Sequence, residues 1–294
     1  MSNSLLSLIG NTPLVKSRVL NTNPNVSVYF KMEGHNPGGS VKDRAAYNMI
    51  KTGYDNGDFT ANDKLIEATS GNTGIALAMI AGVYGLDIEL VMPENSTKER
   101  VQTMRAYGAK VTLTSSDVGI EGARDYAESK VANEGYIMMN QFGNPNNWKA
   151  HYNTTGPEIW NDTHGEITHF VSAMGTTGTI MGTSTYLKEQ NSNIQIVGVQ
   201  PSDNASIPGI RKWPEEYLPK IFDAKKVDRI MEVNEVEAKE MARKLAKEEG
   251  IFSGMSSGGA ATVALRLAQE IEKGTIVSIV CDRGDRYLSS SLFD

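Results

Sequence analysis

A lysine lies near the start of a predicted helix, in the stretch NPGGSVKDR at residues 36–44. Ser40 and Asp43 have nearly the spacing of a capping box, so we expect Ser40 to cap the helix and Lys42 to lie in its first turn. The positive end of the helix dipole disfavours an ammonium group there, and burial would disfavour it further. Lys42 is therefore either a solvated surface lysine, the commoner case, or a nucleophilic amine.

Two glycine-rich turns, at residues 67–74 and 172–179, have the composition of anion sites. EATSGNTG and SAMGTTGT each follow a predicted strand and precede a helix, whose N-terminal N–H groups can bind an anion. The first turn lacks the lysine of a Walker A loop and suits a carboxylate as well as a phosphate. The second is not GxGxxG, and Gly175 and Gly178 would let its backbone approach a phosphate. Either turn could instead be an ordinary strand-to-helix connection.

Two further stretches follow near the C-terminus, GIFSGMSSGGAA at 250–261 and CDRGDRYLS at 281–289. Ser256 and Ser257 precede a glycine pair and a predicted helix, so they could be a plain N-cap pair. The second stretch lies at a strand end, where ligand sites of α/β proteins occur. Its charged residues are nevertheless expected to be surface charges: Asp282, Arg283, Asp285 and Arg286.

A reactive lysine and a phosphate cradle together suit one cofactor, pyridoxal 5'-phosphate. Lys42 could form a Schiff base with the cofactor carbonyl, while the turn at 172–179 anchors the phosphate. No single motif carries this prediction; it depends on the combination.

Short apolar runs alternate with helical patterns along the whole chain, which predicts an α/β protein with parallel sheets. The predicted strands are Val26–Met32, Lys64–Glu67, Ile88–Met92, Lys110–Leu113, Ile167–Ser172, Ile194–Val199 and Thr275–Cys281. The predicted helices are Ala45–Thr52, Thr73–Tyr84, Lys98–Tyr107, Gly119–Asn133, Asn147–Trp160, Thr179–Glu189, Val236–Glu248 and Gly259–Glu272. Seven or more strands predict two sheets and two lobes with a cleft between them. The longest irregular segment, 201–228, is expected to be functional or mobile.

Composition excludes several other classes of function. Acidic residues outnumber basic ones 35 to 29, and without a basic stripe nucleic acid is not an expected partner. The single cysteine, Cys281, excludes an internal disulfide and fits a cytoplasmic setting. Four scattered histidines give no support for a metal site. The most apolar long window, 75–92, is interrupted by glycines and acids, so no membrane span is expected.

Four motifs in order, NPGGSVKDR, EATSGNTGIALA, GTTGTIMG and SSGG, resemble those of the pyridoxal-phosphate-dependent cysteine synthases (O-acetylserine sulfhydrylases). ASIPGIRKWPEEYLP and CDRGDRYLS make the chain most similar to the cysteine synthase B branch. The resemblance extends from Ile9 to Phe293. It implies fold type II, in which each of two lobes is a mainly parallel twisted sheet flanked by helices. Residues 1–36 and 144–294 would form a larger lobe that binds the cofactor phosphate, and residues 37–143 a smaller lobe with the substrate carboxylate loop.

The resemblance also implies a role for each matching residue. Lys42 would be the catalytic lysine that carries the cofactor, Asn72 would contact the cofactor ring oxygen, and Ser256 would face the pyridine nitrogen. The phosphate would be bound by Gly175, Thr176, Thr177, Gly178 and Thr179. The substrate carboxylate would be bound by Thr69, Ser70, Gly71, Asn72 and Thr73, together with Gln141.

The implied reaction is β-replacement of O-acetylserine by sulfide, or by thiosulfate to give S-sulfocysteine, through an aminoacrylate intermediate in a homodimeric enzyme. A dianionic sulfur donor would need cationic or polar side chains beside it, and the candidates are Arg211, Lys212 and Cys281. The branch commonly has two arginines here, and Lys212 lacks the bidentate fork of an arginine. The alternatives are a serine or threonine dehydratase, a cystathionine β-synthase, or a catalytically silent protein on the same scaffold.

Overall fold

The computed structural model describes residues 4–69 and 71–294. Its strands are β1 (Leu14–Lys16), β2 (Val26–Met32), β3 (Lys64–Ala68), β4 (Asp87–Pro93), β5 (Lys110–Thr114), β6 (Ile137–Met138), β7 (His169–Ala173), β8 (Gln195–Pro201), β9 (Arg229–Val233) and β10 (Gly274–Val280). Its α-helices are α1 (Lys42–Asn56), α2 (Asn72–Tyr84), α3 (Lys98–Ala106), α4 (Gly119–Glu134), α5 (Pro145–Asn153), α6 (Thr155–Asp162), α7 (Gly178–Gln190), α8 (Glu235–Lys244) and α9 (Met255–Glu270).

The described strands form two sheets, as the alternation of strands and helices predicts. A six-stranded sheet has the order β1-β2-β10-β7-β8-β9, and a four-stranded sheet has the order β5-β4-β3-β6. Neighbouring strands pair in parallel except for β1, which is antiparallel to β2. The predicted α/β class with two mainly parallel sheets is therefore confirmed. The predicted lobe boundaries, after residues 36 and 143, stay a prediction.

Each sheet has its own buried core. The core of the four-stranded sheet surrounds α2, in which every residue from Thr73 to Ala81 is buried. A helix that is apolar on all sides has no face for solvent, so it packs as an interior element. The six-stranded sheet packs the apolar residues of β2, β8 and β10 against α9 on one face and against α7 on the other. The two sheets therefore pack around separate cores, and a cleft lies between them.

The predicted strands are confirmed to within two residues, whereas β1, β6 and β9 were not predicted because they are short or largely exposed. The predicted helix Asn147–Trp160 is wrong in one respect, because it is two helices that break at Thr154. Pro157 explains the break, since a proline cannot donate to the preceding turn of a continuous helix. The last long helix begins at Met255 rather than Gly259, which places the serine pair inside its first turn.

Both ends of the helical segment that begins with α8 have clear local signals. Asn234 caps α8 in a reciprocal capping box with Glu237, and the chain leaves its helical course at Gly250 in the left-handed conformation. Between β8 and β9 lies the predicted irregular segment, which contains only two short 3-10 turns, Glu215–Tyr217 and Ala224–Lys226. Among the described residues, no helix combines the length and apolar character needed to cross a bilayer.

Candidate cofactor and substrate site

A cleft of about 440 Å³ lies at the carboxyl ends of strands from both sheets. It brings together most of the predicted site residues: Lys42, Thr69, Gly71, Asn72, Thr73, Gln141, Gly175, Thr176, Thr179, Arg211, Lys212, Ser256 and Cys281. Thr177 and Gly178 belong to the same loop but are not among the lining residues. Ser70 lies outside the described residues. Residues scattered over 240 positions of sequence thus meet in one cavity, as expected of a site built at strand ends.

Lys42 is the first residue of α1 and lines the cleft. Its backbone is fixed on both sides, because Val41 N donates to Cys281 O at 2.8 Å and Lys42 N donates to Ser40 Oγ at 3.2 Å. The predicted capping box is wrong, since the Asp43 carboxylate accepts from Gly38 N at 2.5 Å instead of from the backbone of Ser40. Burial raises the pKa of Asp43 to about 7.

A cluster of buried charged side chains stabilises the start of α1. Arg44 is 2% exposed and donates to Glu33 at 2.7 Å and to Glu158 at 2.6 Å. Asn36 donates to Ser40 O at 3.1 Å, so the turn before Lys42 is tied to the same cluster. Removing one partner from such a buried ion pair would leave an uncompensated charge. The cluster therefore holds the first turn of α1, and with it Lys42, in place.

Asn72 is held by the segment that follows β10. Its Nδ2 donates to Asp282 Oδ2 at 2.7 Å, and its Oδ1 accepts from Arg286 Nη1 at 2.6 Å. Tyr287 OH also donates to Asp282 Oδ2, at 2.6 Å. The prediction of surface charge is therefore wrong for Asp282 and Arg286, which are 1% and 8% exposed. It is correct for Arg283, whose guanidinium pairs in solvent 2.9 Å from the Asp285 carboxylate.

The predicted carboxylate loop packs against Gln141. Thr73 Oγ1 donates to Gln141 Oε1 at 2.8 Å, and Gln141 Nε2 donates to Ala68 O at 3.0 Å. Glu67 lies behind this amide, 2% exposed, with one carboxyl oxygen 3.5 Å from Gln141 Nε2. Burial raises the pKa of Glu67 to about 8, so this side chain is mainly neutral at pH 7.

Sequence reasoning missed Arg100 of α3, whose side chain also lines the cleft. Its guanidinium carbon lies 4.9 Å from the centre of the Tyr287 ring, a cation–π contact between the two halves of the site. A cation at this position could pair with the substrate carboxylate that the neighbouring loop is expected to bind. Its own helix, KERVQTMRA, carries no motif that could have indicated it.

The predicted phosphate loop connects β7 to α7. A β-carbon added at Gly175 would lie 2.9 Å from Gly209 O, so the irregular segment approaches the loop backbone closely. Thr177 has a φ of 69°, the left-handed conformation that lets the chain turn into the helix. No side chain caps α7 among the described residues, so its first N–H groups are available to an anion.

Ser256 and Cys281 lie on the side of the cleft formed by α9 and β10. Ser256 is 4% exposed, and the Cys281 backbone N–H donates to Ser257 Oγ at 2.9 Å. Burial raises the pKa of the Cys281 thiol to about 11, which keeps it protonated at neutral pH. Both side chains are therefore uncharged at neutral pH, and Ser256 offers a ligand ring a neutral hydroxyl.

The irregular segment covers the remaining side of the cleft. Trp213, which sequence reasoning did not assign to the site, donates from Nε1 to Gly175 O at 2.8 Å and packs edge-on against Phe142 with ring centres 5.4 Å apart. Lys212 binds two exposed carboxylates, Asp203 at 2.7 Å and Glu232 at 2.9 Å. Arg211 is exposed at the same rim.

These residues fit pyridoxal phosphate. The cleft has one lysine at a helix start, a glycine-threonine loop with uncapped N–H groups for a dianion, and a neutral serine. Among the described residues no cluster of side chains has the composition of a metal site. The fold and the cleft together define an α/β enzyme that works through an amine and a phosphorylated cofactor.

The chain belongs to the family of pyridoxal-phosphate dependent enzymes, whose sequence profile matches residues 5–282. It is 55% identical over 292 residues to a cysteine synthase B of Pseudomonas aeruginosa, covering 99% of this chain and 97% of that one. Among solved structures, a cysteine synthase of Entamoeba histolytica has a TM-score of 0.94 and 37% identity, covering 100% of this chain and 91% of that one. An O-ureido-L-serine synthase has a TM-score of 0.95 and 36% identity, covering 100% and 96%.

Proposed function

We propose that this chain is a pyridoxal-phosphate-dependent cysteine synthase that replaces the acetate of O-acetylserine by a sulfur nucleophile. Identity of 55% over nearly the full length to a cysteine synthase B carries the proposal. The convergence of Lys42, the carboxylate loop and the phosphate loop on one cleft supports it independently. The bound cofactor supplies an electron sink that weakens the bond to the α-hydrogen of an amino acid.

Lys42 is the residue we propose for both covalent attachment of the cofactor and movement of the α-proton. Its amine enters the cleft at the N-terminus of α1, where the helix dipole opposes a positive charge. With the cofactor bound, the Lys42 amine would be the group that accepts the α-proton of the amino acid. The backbone bonds from Val41 N to Cys281 O and from Lys42 N to Ser40 Oγ hold the backbone at this position.

The substrate carboxylate is assigned to the loop from Thr69 to Thr73 and to Gln141. The N-terminus of α2 has no side-chain cap among the described residues, so its N–H groups can bind a carboxylate. Arg100 adds a positive charge at the same side of the cleft.

Ser256 favours β-replacement over reactions that need a stronger electron sink. A neutral hydroxyl does not enforce protonation of a pyridine nitrogen, whereas an aspartate would. Loss of a β-leaving group needs only modest stabilisation of the α-carbanion. A serine or threonine dehydratase is not favoured, given the cysteine synthase relatives.

We further propose that the sulfur nucleophile is sulfide or thiosulfate, and that the rim formed by Arg211 and Lys212 attracts it. Arg211 is exposed at the cleft mouth, and the long segment that carries it is joined to the phosphate loop through Trp213. Lys212 is already paired with two carboxylates, so Arg211 is the stronger candidate for a dianion. Cys281 contributes a neutral thiol to the same cavity.

Product analysis tests this function. Purified protein with pyridoxal phosphate is incubated with O-acetylserine and either sulfide or thiosulfate, and the products are separated and identified by mass. Cysteine, or S-sulfocysteine with thiosulfate, is expected. Conversion of serine or threonine to a keto acid without reaction of O-acetylserine would contradict the assignment.

We also propose a homodimer in the cytoplasm, with residues 1–36 and 144–294 forming the larger lobe and 37–143 the smaller. Apolar side chains such as Leu5, Leu8 and Val19 are exposed near the N-terminus and could meet a second copy. Sedimentation equilibrium should give twice the mass of the chain, and a monomer at micromolar concentration would contradict the dimer.

A further inference from the structure

Helix α5 touches the phosphate loop at two places. Asn147 Nδ2 lies 3.1 Å from Thr176 Oγ1, and His151 Nε2 lies 3.3 Å from Thr179 Oγ1. Asn147 and His151 are one helical turn apart, so they present the same face of α5. They are 2% and 1% exposed, whereas both threonines line the cleft.

Asn147 can only donate in its contact with the loop. Its Nδ2 also donates to the backbone oxygen of Gln141 at 2.7 Å, which fixes the amide with nitrogen toward both acceptors. A threonine oxygen that accepts from Asn147 keeps its own hydrogen for another partner. Thr176 is therefore able to donate into the cleft.

His151 is bonded at both ring nitrogens, because Nδ1 lies 2.8 Å from Thr155 Oγ1. Burial lowers the pKa of His151 to about 3, helped by the charges of Arg44 and Lys42 and opposed by those of Glu33 and Glu158. The ring is therefore neutral, with one nitrogen that donates and one that accepts.

The two tautomers have opposite consequences for Thr179. With the proton on Nε2, His151 donates to Thr179 Oγ1, and the threonine hydrogen points to the cleft. With the proton on Nδ1, Thr179 must donate to the ring and has no hydrogen left for a ligand. Thr155 can donate to an unprotonated Nδ1, which is the arrangement that the first tautomer needs.

We propose that His151 is a positioning residue, held by Thr155 as the Nε2-protonated tautomer, which directs the Thr179 hydroxyl hydrogen toward the cofactor phosphate. Asn147 does the same for Thr176, so α5 orients both cleft-lining hydroxyls of the loop. This inference rests on the proposed placement of the phosphate at Gly175–Thr179.

The packing between α5 and α7 leaves little freedom for another arrangement. A β-carbon at Gly178 would lie 1.9 Å from Asn147 Oδ1, and one at Gly182 would lie 2.0 Å from Trp148 O. Glycine at both positions allows α7 to approach α5 closely enough for these side-chain contacts. This close packing therefore holds the donors on α5 at hydrogen-bonding distance from the hydroxyls of the loop.

The tautomer is measured by nitrogen-15 NMR on the isotopically labelled holoenzyme. Long-range proton–nitrogen correlations identify which ring nitrogen of each histidine carries hydrogen, and comparison with His151→Gln assigns the His151 signals. The expected result is a protonated Nε2 and an unprotonated Nδ1. A ring protonated at Nδ1 overturns the proposal.

The effect on the phosphate is measured with Thr155→Val, which removes the hydroxyl proposed to hold the tautomer and preserves the shape of the side chain. Cofactor dissociation measured by equilibrium dialysis should become about 3- to 10-fold weaker, the size of one hydrogen bond, and the phosphorus-31 signal of the bound cofactor should shift. Thr183→Val is the matched control, because Thr183 is buried one turn further along α7 and does not line the cleft. It should leave both quantities unchanged.

Unchanged affinity and an unchanged phosphorus signal in folded Thr155→Val would overturn the role of His151. Failure of the wild-type protein to bind pyridoxal phosphate would instead overturn the proposed function. The thermal midpoint of each variant is measured alongside, and a phosphorus shift without a change in that midpoint separates positioning from general destabilisation.

Discussion

Asn72 Nδ2 and Asp282 Oδ2 lie 2.7 Å apart, although 210 residues separate them in the chain. Asn72 begins α2 beside the four-stranded sheet, and Asp282 follows β10 of the six-stranded sheet. The bond therefore joins the two sheets beside the cleft, which Asn72 lines. It also makes the segment after β10 a part of the site rather than a surface tail.

Replacing Asp282 by alanine should destabilise the fold and weaken the site together. Two donors, half-buried Asn72 Nδ2 and buried Tyr287 OH, lose their acceptor, and an unsatisfied buried donor costs about 1–3 kcal/mol. Denaturant unfolding and the KM for O-acetylserine measure the two effects. Asp285→Ala is the control, because Asp285 pairs with exposed Arg283, and equal effects of the two changes would contradict the account.

Replacing Glu67 by glutamine should make stability less dependent on pH. Burial raises the pKa of Glu67 from 4.5 to about 8, so the folded state holds a proton that the unfolded state releases. The protonated carboxyl contributes its full share to the free energy of unfolding below about pH 4.5. This share is lost as the pH rises toward 8, at about 1.4 kcal/mol per pH unit between these values. Glutamine stays neutral and should avoid this loss.

Denaturant unfolding at pH 5 and pH 8 measures the difference for wild type and Glu67→Gln. The variant should gain stability relative to wild type as the pH rises, whereas Glu128→Gln, at an exposed position of α4, should not. A parallel change of Glu67→Gln and wild type with pH would show that Glu67 is ionised in the folded protein.

Seven of the ten described strands, most helices and the place of Lys42 at a helix start beside the cleft could be predicted from sequence because their signals are local. Apolar runs indicate buried strands, and a glycine-rich turn before a helix indicates an anion site whatever the tertiary fold. The environment of Asp282, Arg286 and Arg100 could not be predicted, because a charged residue looks the same in sequence whether it is solvated or buried. Only the meeting of two sheets makes these residues partners of Asn72 and Tyr287.

Arg211 and Lys212 should differ in their importance for an anionic sulfur donor. Lys212 is neutralised by Asp203 and Glu232, whereas Arg211 has its exposed charge at the cleft mouth. Arg211→Ala should raise the KM for thiosulfate by roughly 10-fold, the lower end for a charge-assisted hydrogen bond. Lys212→Ala should change it less.

Sulfide is the internal control for these two variants, because it lacks the sulfonate-like oxygens that an arginine would bind. Its KM should change little in either one. A larger effect of Lys212→Ala than of Arg211→Ala on thiosulfate would contradict the assignment of the rim.

Lys42→Ala should abolish turnover and leave the fold intact. The side chain is half-buried at a helix start, and alanine is compatible with that position. Loss of a residue that both attaches the cofactor and moves a proton should reduce kcat by at least about 1000-fold. Circular dichroism checks the fold, and Lys51→Ala, on the exposed side of α1, should keep full activity.

Covalent trapping at Lys42 tests the central claim most directly. The holoenzyme is treated with borohydride, which converts a Schiff base to a stable amine, and the protein is then digested and analysed by mass spectrometry. The account predicts one modified peptide, with the mass of reduced pyridoxal phosphate on Lys42. A cofactor trapped on another lysine, or none trapped in a protein that binds it and turns over O-acetylserine, would contradict the account.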